Sequence, residues 1–301
     1  MNELLTACPI CGSTKLQPRL RVPDRSVSQE TFVLDECQRC GFLFTNPRPD
    51  AASIGRYYES AAYVSHNARA GGLVNQVYRL ARFFTVRAKT RLITRLHGGR
   101  PGRLLDYGCG TGHFLAQARR AGWEVTGLEP NPQARADAEA RVGVPIGEPA
   151  ELATLPPASY DVITLWHVLE HVHTLDDTLA QLLAALRPGG LLLVAVPNAD
   201  SHDARHYGPY WAAYDVPRHL YHFTPATMRR LLGRHGLRIT HQLPLRLDAY
   251  YVSMLSEGLR PAEQARGRLA TLRQGYRSNQ HAAQHENNYS SVLYVAEAPP
   301  A

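Results

Sequence analysis

Eleven residues, 104–114, limit the architecture more than any others: Leu-Leu-Asp-Tyr-Gly-Cys-Gly-Thr-Gly-His-Phe. An apolar strand that runs into a glycine-rich turn and then opens a helix lets a ligand lie against main chain, where a Cβ would collide. Glu129 ends the next apolar strand, 21 residues beyond Gly108, about where an acid can hold the paired hydroxyls of a ribose. A dinucleotide loop reads G-x-G-x-x-G. Here the third glycine, Gly112, arrives one residue early and His113 takes its place. That spacing argues against a nicotinamide site.

From Arg103 onward strands and helices alternate, the order of a mostly parallel sheet covered on both faces. Strands are expected at 104–107, 124–128, 161–165, 190–196 and 237–242, and helices at 111–121, 132–142, 175–186 and 225–235. A polar, aromatic-rich loop spans 197–223, and residues 290–296 read as a final edge strand. Upstream, Val74, Val77, Ala81, Phe84, Ala88, Leu92 and Leu96 recur at helical spacing until His97–Gly102 breaks the helix. The expected fold is α/β: a Rossmann-like, seven-stranded, mostly parallel sheet. A ribbon at 1–45 and a helical connection at 46–99 would precede the main domain at 100–245, with a C-terminal extension at 246–301.

Two later stretches strengthen this reading: Ser159-Tyr-Asp-Val-Ile163, and Leu186-Arg-Pro-Gly-Gly-Leu-Leu-Leu-Val-Ala-Val-Pro-Asn198. With the glycine loop, they resemble the first-, fourth- and fifth-strand segments of the class I S-adenosylmethionine-dependent methyltransferases. The resemblance covers residues 100–245. It implies methyl transfer and a cofactor site lined by Asp106, Gly108, Cys109, Gly110, Gly112, Glu129 and Leu165. Asp106 would face the amino-acid end of the cofactor and Glu129 its ribose.

Four of the five cysteines form two knuckles, Cys8-Pro-Ile-Cys11-Gly and Cys37-Gln-Arg-Cys40-Gly; the fifth, Cys109, lies in the glycine loop. Four thiolates paired by two-residue gaps are the donor set of a closed tetrahedral zinc site. A redox dithiol would need only one pair, and a secreted disulfide framework is not spaced this way. A structural zinc held by Cys8, Cys11, Cys37 and Cys40 is therefore expected, with recruitment of a substrate or nucleic acid as a second role for the ribbon.

After the fourth-strand segment comes Trp166-His-Val-Leu-Glu-His171, at the sheet edge where ligands bind in open α/β folds. Helical spacing would put His167, Glu170 and His171 on one face. The segment resembles the V-L-E-H stretch of the ubiquinone-pathway O-methyltransferases. In that group and in small-RNA 3′-end methyltransferases, an E-x-x-E-H version holds a divalent metal. That implies Mg²⁺ or Mn²⁺ here, although His167 replaces the first acid; acid–base catalysis and a purely structural role are the other readings. His219 joins them as a catalytic candidate from the aromatic loop. Trp211, Arg218 and His222 are candidate acceptor contacts, or else cover the core. Residues 250–253 and 277–279 are candidates to complete the pocket.

No apolar run approaches the roughly 20 residues of a membrane span, and Met1–Ala7 lacks an export signal, which points to the cytoplasm. The formal charge is +7, and Lys15 and Lys89 are the only lysines among 33 basic residues. Between Glu59 and Asp106 nine basic residues occur and no acid. A solvated helix face is the simpler reading of that run, an anionic partner the other. The acceptor is expected to be a small molecule or glycan precursor. RNA or protein, guided by the ribbon and the basic helix, is the alternative, and a non-catalytic binding protein the third.

Overall fold

The structure, a computed structural model, describes residues 2–58, 73–265 and 267–298. Twelve strands are described: β1 (Asn2–Glu3), β2 (Leu16–Pro23), β3 (Thr31–Cys37), β4 (Leu43–Thr45), β5 (Arg48–Pro49), β6 (Arg103–Tyr107), β7 (Glu124–Leu128), β8 (Tyr160–Trp166), β9 (Leu186–Pro197), β10 (Tyr221–His222), β11 (Arg238–Pro244) and β12 (Ser291–Glu297). The α-helices are α1 (Leu73–Leu96), α2 (His113–Arg120), α3 (Pro132–Val142), α4 (Leu175–Ala185), α5 (His202–Tyr207), α6 (Pro225–Arg234), α7 (Arg246–Gly258) and α8 (Arg268–Gln284).

The main sheet has the order β11-β12-β9-β8-β6-β7. Strands β9, β8, β6 and β7 run parallel, and β12 and β11 are antiparallel additions. Two expectations are corrected. Among the described residues the sheet has six strands rather than seven. The last strand is also interior rather than at the edge, because β12 pairs with β9 on one side and β11 on the other. Its residues are nearly all buried, whereas β11 is half-exposed and forms the edge.

Alternation within each strand feeds two cores, as expected for a sheet covered on both faces. Leu105, Ile163, Leu192 and Val194 face one side, where Leu179 and Leu182 of α4 and Met228 and Leu231 of α6 pack. Leu104, Val162, Leu193 and Leu293 face the other, against Ile93 of α1, Phe114 and Leu115 of α2, and Ala138 of α3. Helix α3 starts on Asn131, whose side chain accepts the Ala134 N–H, and stops at Gly143, whose φ of 75° suits a left-handed C-cap.

Helix α1 matches the expected span, and Leu92 and Leu96 pack on the core as expected, but the stripe departs from expectation in its earlier turns. Phe84 and Ala88 are exposed, while Val86, Thr90 and Ile93 turn inward. Val74, Val77 and Ala81 lie outside the residues whose side chains are described. A second sheet, β10-β4-β3-β2, carries the two cysteine knuckles, and it includes a strand from the loop after β9. Phe42 and Phe44 join the same core as α4 and α6.

Candidate active site

The three loop glycines serve different ends. A Cβ on Gly108 (φ 75°) would sit 2.5 Å from Val168, and one on Gly112 (φ 74°) would sit 2.9 Å from the Ala138 backbone of α3. Both are packing requirements. Gly110 (φ 54°) has nothing within 4 Å of its would-be Cβ, so its bare face borders open space. Glu129 is buried and already aimed: one carboxylate oxygen accepts the Gly110 N–H at 2.8 Å, the other the Asn131 N–H at 3.0 Å. Asp106 is buried and accepts the Thr164 hydroxyl at 2.6 Å, and burial pushes its carboxyl up to about 7.

Cys109 and Leu165 turn away from this space. The Cys109 thiol packs beneath Gly127, burial raises its pKa, and the Leu165 side chain lies wholly in the core. Either can offer only main chain to a ligand in the loop. Lys89 was not anticipated. Its Nζ lies 3.9 Å above the Trp166 ring, burial lowers its pKa, and the carboxylates of Asp106 and Asp248 oppose that fall. A lone lysine on an otherwise arginine-rich, acid-free helix was the sequence signal for it.

Glu170, His171 and His219 converge: one ligand atom from each lies within 4.8 Å of the others. His171 Nδ1 lies 2.9 Å from the Arg218 carbonyl and His219 Nδ1 lies 2.8 Å from the Ala213 carbonyl. A carbonyl only accepts, so each Nδ1 carries the proton and Nε2 is the basic nitrogen in both rings. Tyr58 Oη also approaches His171 Nδ1, at 3.1 Å. The two rings meet edge to face with centroids 4.6 Å apart. Burial, reinforced by His219, lowers the His171 pKa to about 4. Glu170 is fully buried, and neither of its oxygens accepts a hydrogen bond among the described residues.

His167 departs from the expected helical face. It has a φ of 57°, and only Leu169–His171 form a short 3₁₀ turn. Its Nε2 meets Asp248 at 3.1 Å and its Nδ1 lies 3.4 Å from Glu170, an ion pair lacking hydrogen-bond geometry. Burial alone would lower its pKa, but these two carboxylates raise it to about 10. Both ring nitrogens of His167 thus face carboxylates, in place of the shared helical face expected from its spacing.

The three expected acceptor contacts are interior. Trp211 donates Nε1–H to Asp203 at 3.0 Å. Arg218 is 1% exposed and pairs with Asp24 and Asp215 while donating to the Tyr57 carbonyl. His222 is buried beside Thr45, and burial drives its pKa down to about 3. These partners are what the core-covering reading of the three residues expects. The later candidates are mixed: Ser278 is buried and donates to Asp203, Asn279 donates to the Arg246 carbonyl and Tyr250 packs on Gly275, whereas Tyr251 and Arg277 are exposed.

The ribbon reaches this cluster directly. Strand β4 pairs with β10, the Thr45 N–H donates to Leu220 O, and the Thr45 hydroxyl donates to His219 O at 2.9 Å. Leu220 N–H in turn donates to Glu170 O. At the other end of the ribbon, the sulfurs of Cys8, Cys11, Cys37 and Cys40 lie within 4.8 Å of one another, with the Cys8–Cys40 and Cys11–Cys37 pairs at 3.6 and 3.5 Å.

A parallel sheet with a glycine loop after β6, an acid after β7 and a polar cluster after β8 defines a nucleoside-cofactor enzyme of the doubly wound class. A family model described as a methyltransferase domain matches residues 78–242, more than half of the chain. The chain belongs to that family and is an S-adenosylmethionine-dependent methyltransferase. It is 32% identical over 190 residues to a malonyl-[acyl-carrier protein] O-methyltransferase of Serratia marcescens, covering 58% of this chain and 73% of that one. It is 36% identical over 102 residues to a ubiquinone biosynthesis O-methyltransferase of a Methylobacterium species, of which it spans only 41%, and 32% of itself. The fold is shared with magnesium protoporphyrin IX methyltransferase of Synechocystis, with bound S-adenosylhomocysteine, at TM-score 0.53, 16% identity, and 83% and 100% of the two chains.

Proposed function

We propose that this enzyme methylates an oxygen of a small-molecule acceptor that sits between the glycine loop and the Glu170–His171–His219 cluster. The observation that carries the reading is the state of that cluster: two imidazoles with Nδ1–H committed to carbonyls, and a buried carboxylate that is ion-paired with His167 but accepts no hydrogen bond among the described residues. Histidines oriented this way by backbone carbonyls are the usual setting of metal-ligating imidazoles. The donor set fits a divalent cation such as Mg²⁺ or Mn²⁺, held by Glu170, His171 and His219. When bound, that cation supplies a positive charge that lowers the pKa of an acceptor hydroxyl.

The remaining work falls to the chain. Gly110 leaves room for the cofactor, Glu129 accepts from its ribose hydroxyls, and Lys89 and Asp106 bracket its amino-acid end. The acceptor oxygen takes the methyl from the sulfonium and loses its proton: to an Nε2 of the pair where that nitrogen holds no cation, and to solvent where the cation occupies both. The relatives' printed names support an oxygen acceptor, as they describe O-methyltransferases acting on malonyl-[acyl-carrier protein] and in ubiquinone biosynthesis. The four sulfurs fit a structural zinc, since Zn–S bonds of about 2.3 Å place tetrahedral sulfurs about 3.8 Å apart.

Mass-spectrometric capture of the ligand that co-purifies with the enzyme identifies the acceptor. Transfer to it should fall by about 10²–10⁴ in His171→Ala and His219→Ala while cofactor affinity holds. Chelation should inhibit and added Mn²⁺ restore. Full activity in both variants, with indifference to chelator, refutes the reading.

A further inference from the structure

We propose that the outer flank of α1 is a second binding site, for a small molecule bearing an oligophosphate group. A cavity of about 640 Å³ opens there, lined by Arg87, Arg91, Arg95, Thr90, Thr94 and Gln117 among others. That volume lies within the range of small-molecule sites, about 300–1,000 Å³. It is distinct from the methyl-transfer site: Gly99 and Ala121 on its rim precede the starts of β6 and β7, whereas the glycine loop follows the far end of β6.

The three arginines fall at i, i+4 and i+8 on α1, so they stack on one stripe, about 6 Å apart along the axis. Neither α1 nor α2 contains an acidic residue. Among the described residues none of the three arginines forms an ion pair or side-chain hydrogen bond. The guanidinium of Arg87 lies 3.4 Å over the Phe83 ring, and its Nη1 is buried without a hydrogen-bond partner. A charged N–H buried without an acceptor is costly, and it leaves the Arg87 charge beside the cavity without a counter-ion among the described residues.

The other groups add donors of the right kind. The Thr94 hydroxyl accepts Trp123 Nε1–H at 3.0 Å and keeps its own proton to give. Gln117 contributes an amide from α2. Guanidinium forks match phosphate oxygens two at a time, and three unpaired cations in a concave wall focus their potential into it. The run of basic residues taken alone suits a solvated face, but a solvated face needs no cavity lined by three stacked arginines. Among the described residues no aromatic side chain lines the cavity, so these supply none of the stacking platforms with which proteins grip single-stranded nucleic acid.

The test uses sodium tripolyphosphate as probe, titrated calorimetrically into the full-length protein at about 150 mM salt, where diffuse surface attraction is screened. Wild-type protein should show one saturable site. Arg91→Gln with Arg95→Gln, which keeps good helix formers on an exposed face, should weaken it at least about tenfold. S-adenosylmethionine affinity and the thermal midpoint should not move. Absence of saturable binding, or equal binding by the double variant, overturns the site. A short single-stranded RNA that binds more tightly than tripolyphosphate and is lost with the same substitutions overturns it in favour of a nucleic-acid face.

Discussion

Thr45 offers the sharpest test of how the ribbon serves the active site. Its side chain is fully buried, donates to His219 O at 2.9 Å and meets His222 Nε2 at 3.2 Å. Thr45→Val keeps the shape and removes the hydroxyl. It strands a carbonyl and an imidazole N–H inside the core, each costing about 1–3 kcal/mol, so unfolding should become easier by about 2–6 kcal/mol in total. Because the freed carbonyl belongs to His219 itself, its ring should shift relative to Glu170. A displacement of even part of an ångström costs roughly 10- to 100-fold in transfer. Denaturant unfolding, zinc content and steady-state kinetics on one preparation separate these effects. Thr45→Ser restores the donor and should recover most of the turnover. Full stability and full turnover in Thr45→Val, at unchanged zinc content, would show that β4 does not position the histidine.

Three further outcomes follow from the geometry. Cys37→Ser should lose the zinc by elemental analysis and, since a small ribbon depends on its metal, unfold locally around β2 and β3; full stoichiometry rejects the site. Gly110→Arg should abolish cofactor binding by calorimetry by filling the open face at that residue, and Glu129→Ala should weaken it. Unchanged affinity in both means the cofactor lies elsewhere. Burial pushes the Asp24 pKa up, but the Arg218 hydrogen bond and the Ser28 donors outweigh it and hold it below the ordinary value. Its stabilisation is therefore complete above the unfolded pKa of about 3.9 and is lost as pH falls through that value towards the folded one. Asp24→Asn should flatten stability against pH between about 5 and 3. It should also cost about 2–4 kcal/mol near neutrality by leaving Arg218 half-paired; an unaltered acid limb contradicts this.

Local pattern carried most of the main domain. The strand at Glu124–Leu128 and the helix at Pro132–Val142 match to the residue, because apolar periodicity, Asn131 and Gly143 are all written locally. Pairing is not. Ser291–Glu297 reads as a strand, but its interior place depends on β9 and β11, and the available clue was a nearly continuous apolar run. Arg218 reads from the sequence as an acceptor contact or a core-covering residue, and its partner Asp24 lies 194 residues away. The same limit applies to His167, whose partner Asp248 sits on α7. The Glu170–His171–His219 convergence joins a turn after β8 to a loop after β9, and only the strand order brings those together.

The pairing of β4 with β10 also has a consequence for how the chain is made. Strand β4 emerges from the ribosome long before its partner, since Thr45 and His222 are 177 residues apart in sequence. At about 5–20 residues per second the interval is roughly 10–35 s. Through it the nascent ribbon presents an open strand edge and two phenyl rings, Phe42 and Phe44, that end fully buried. Such an edge is a template for pairing with another chain. The youth of this protein on the polysome is thus its period of greatest exposure to aggregation. A chaperone that occupies the β4 edge would raise the yield of folded enzyme without touching its final stability.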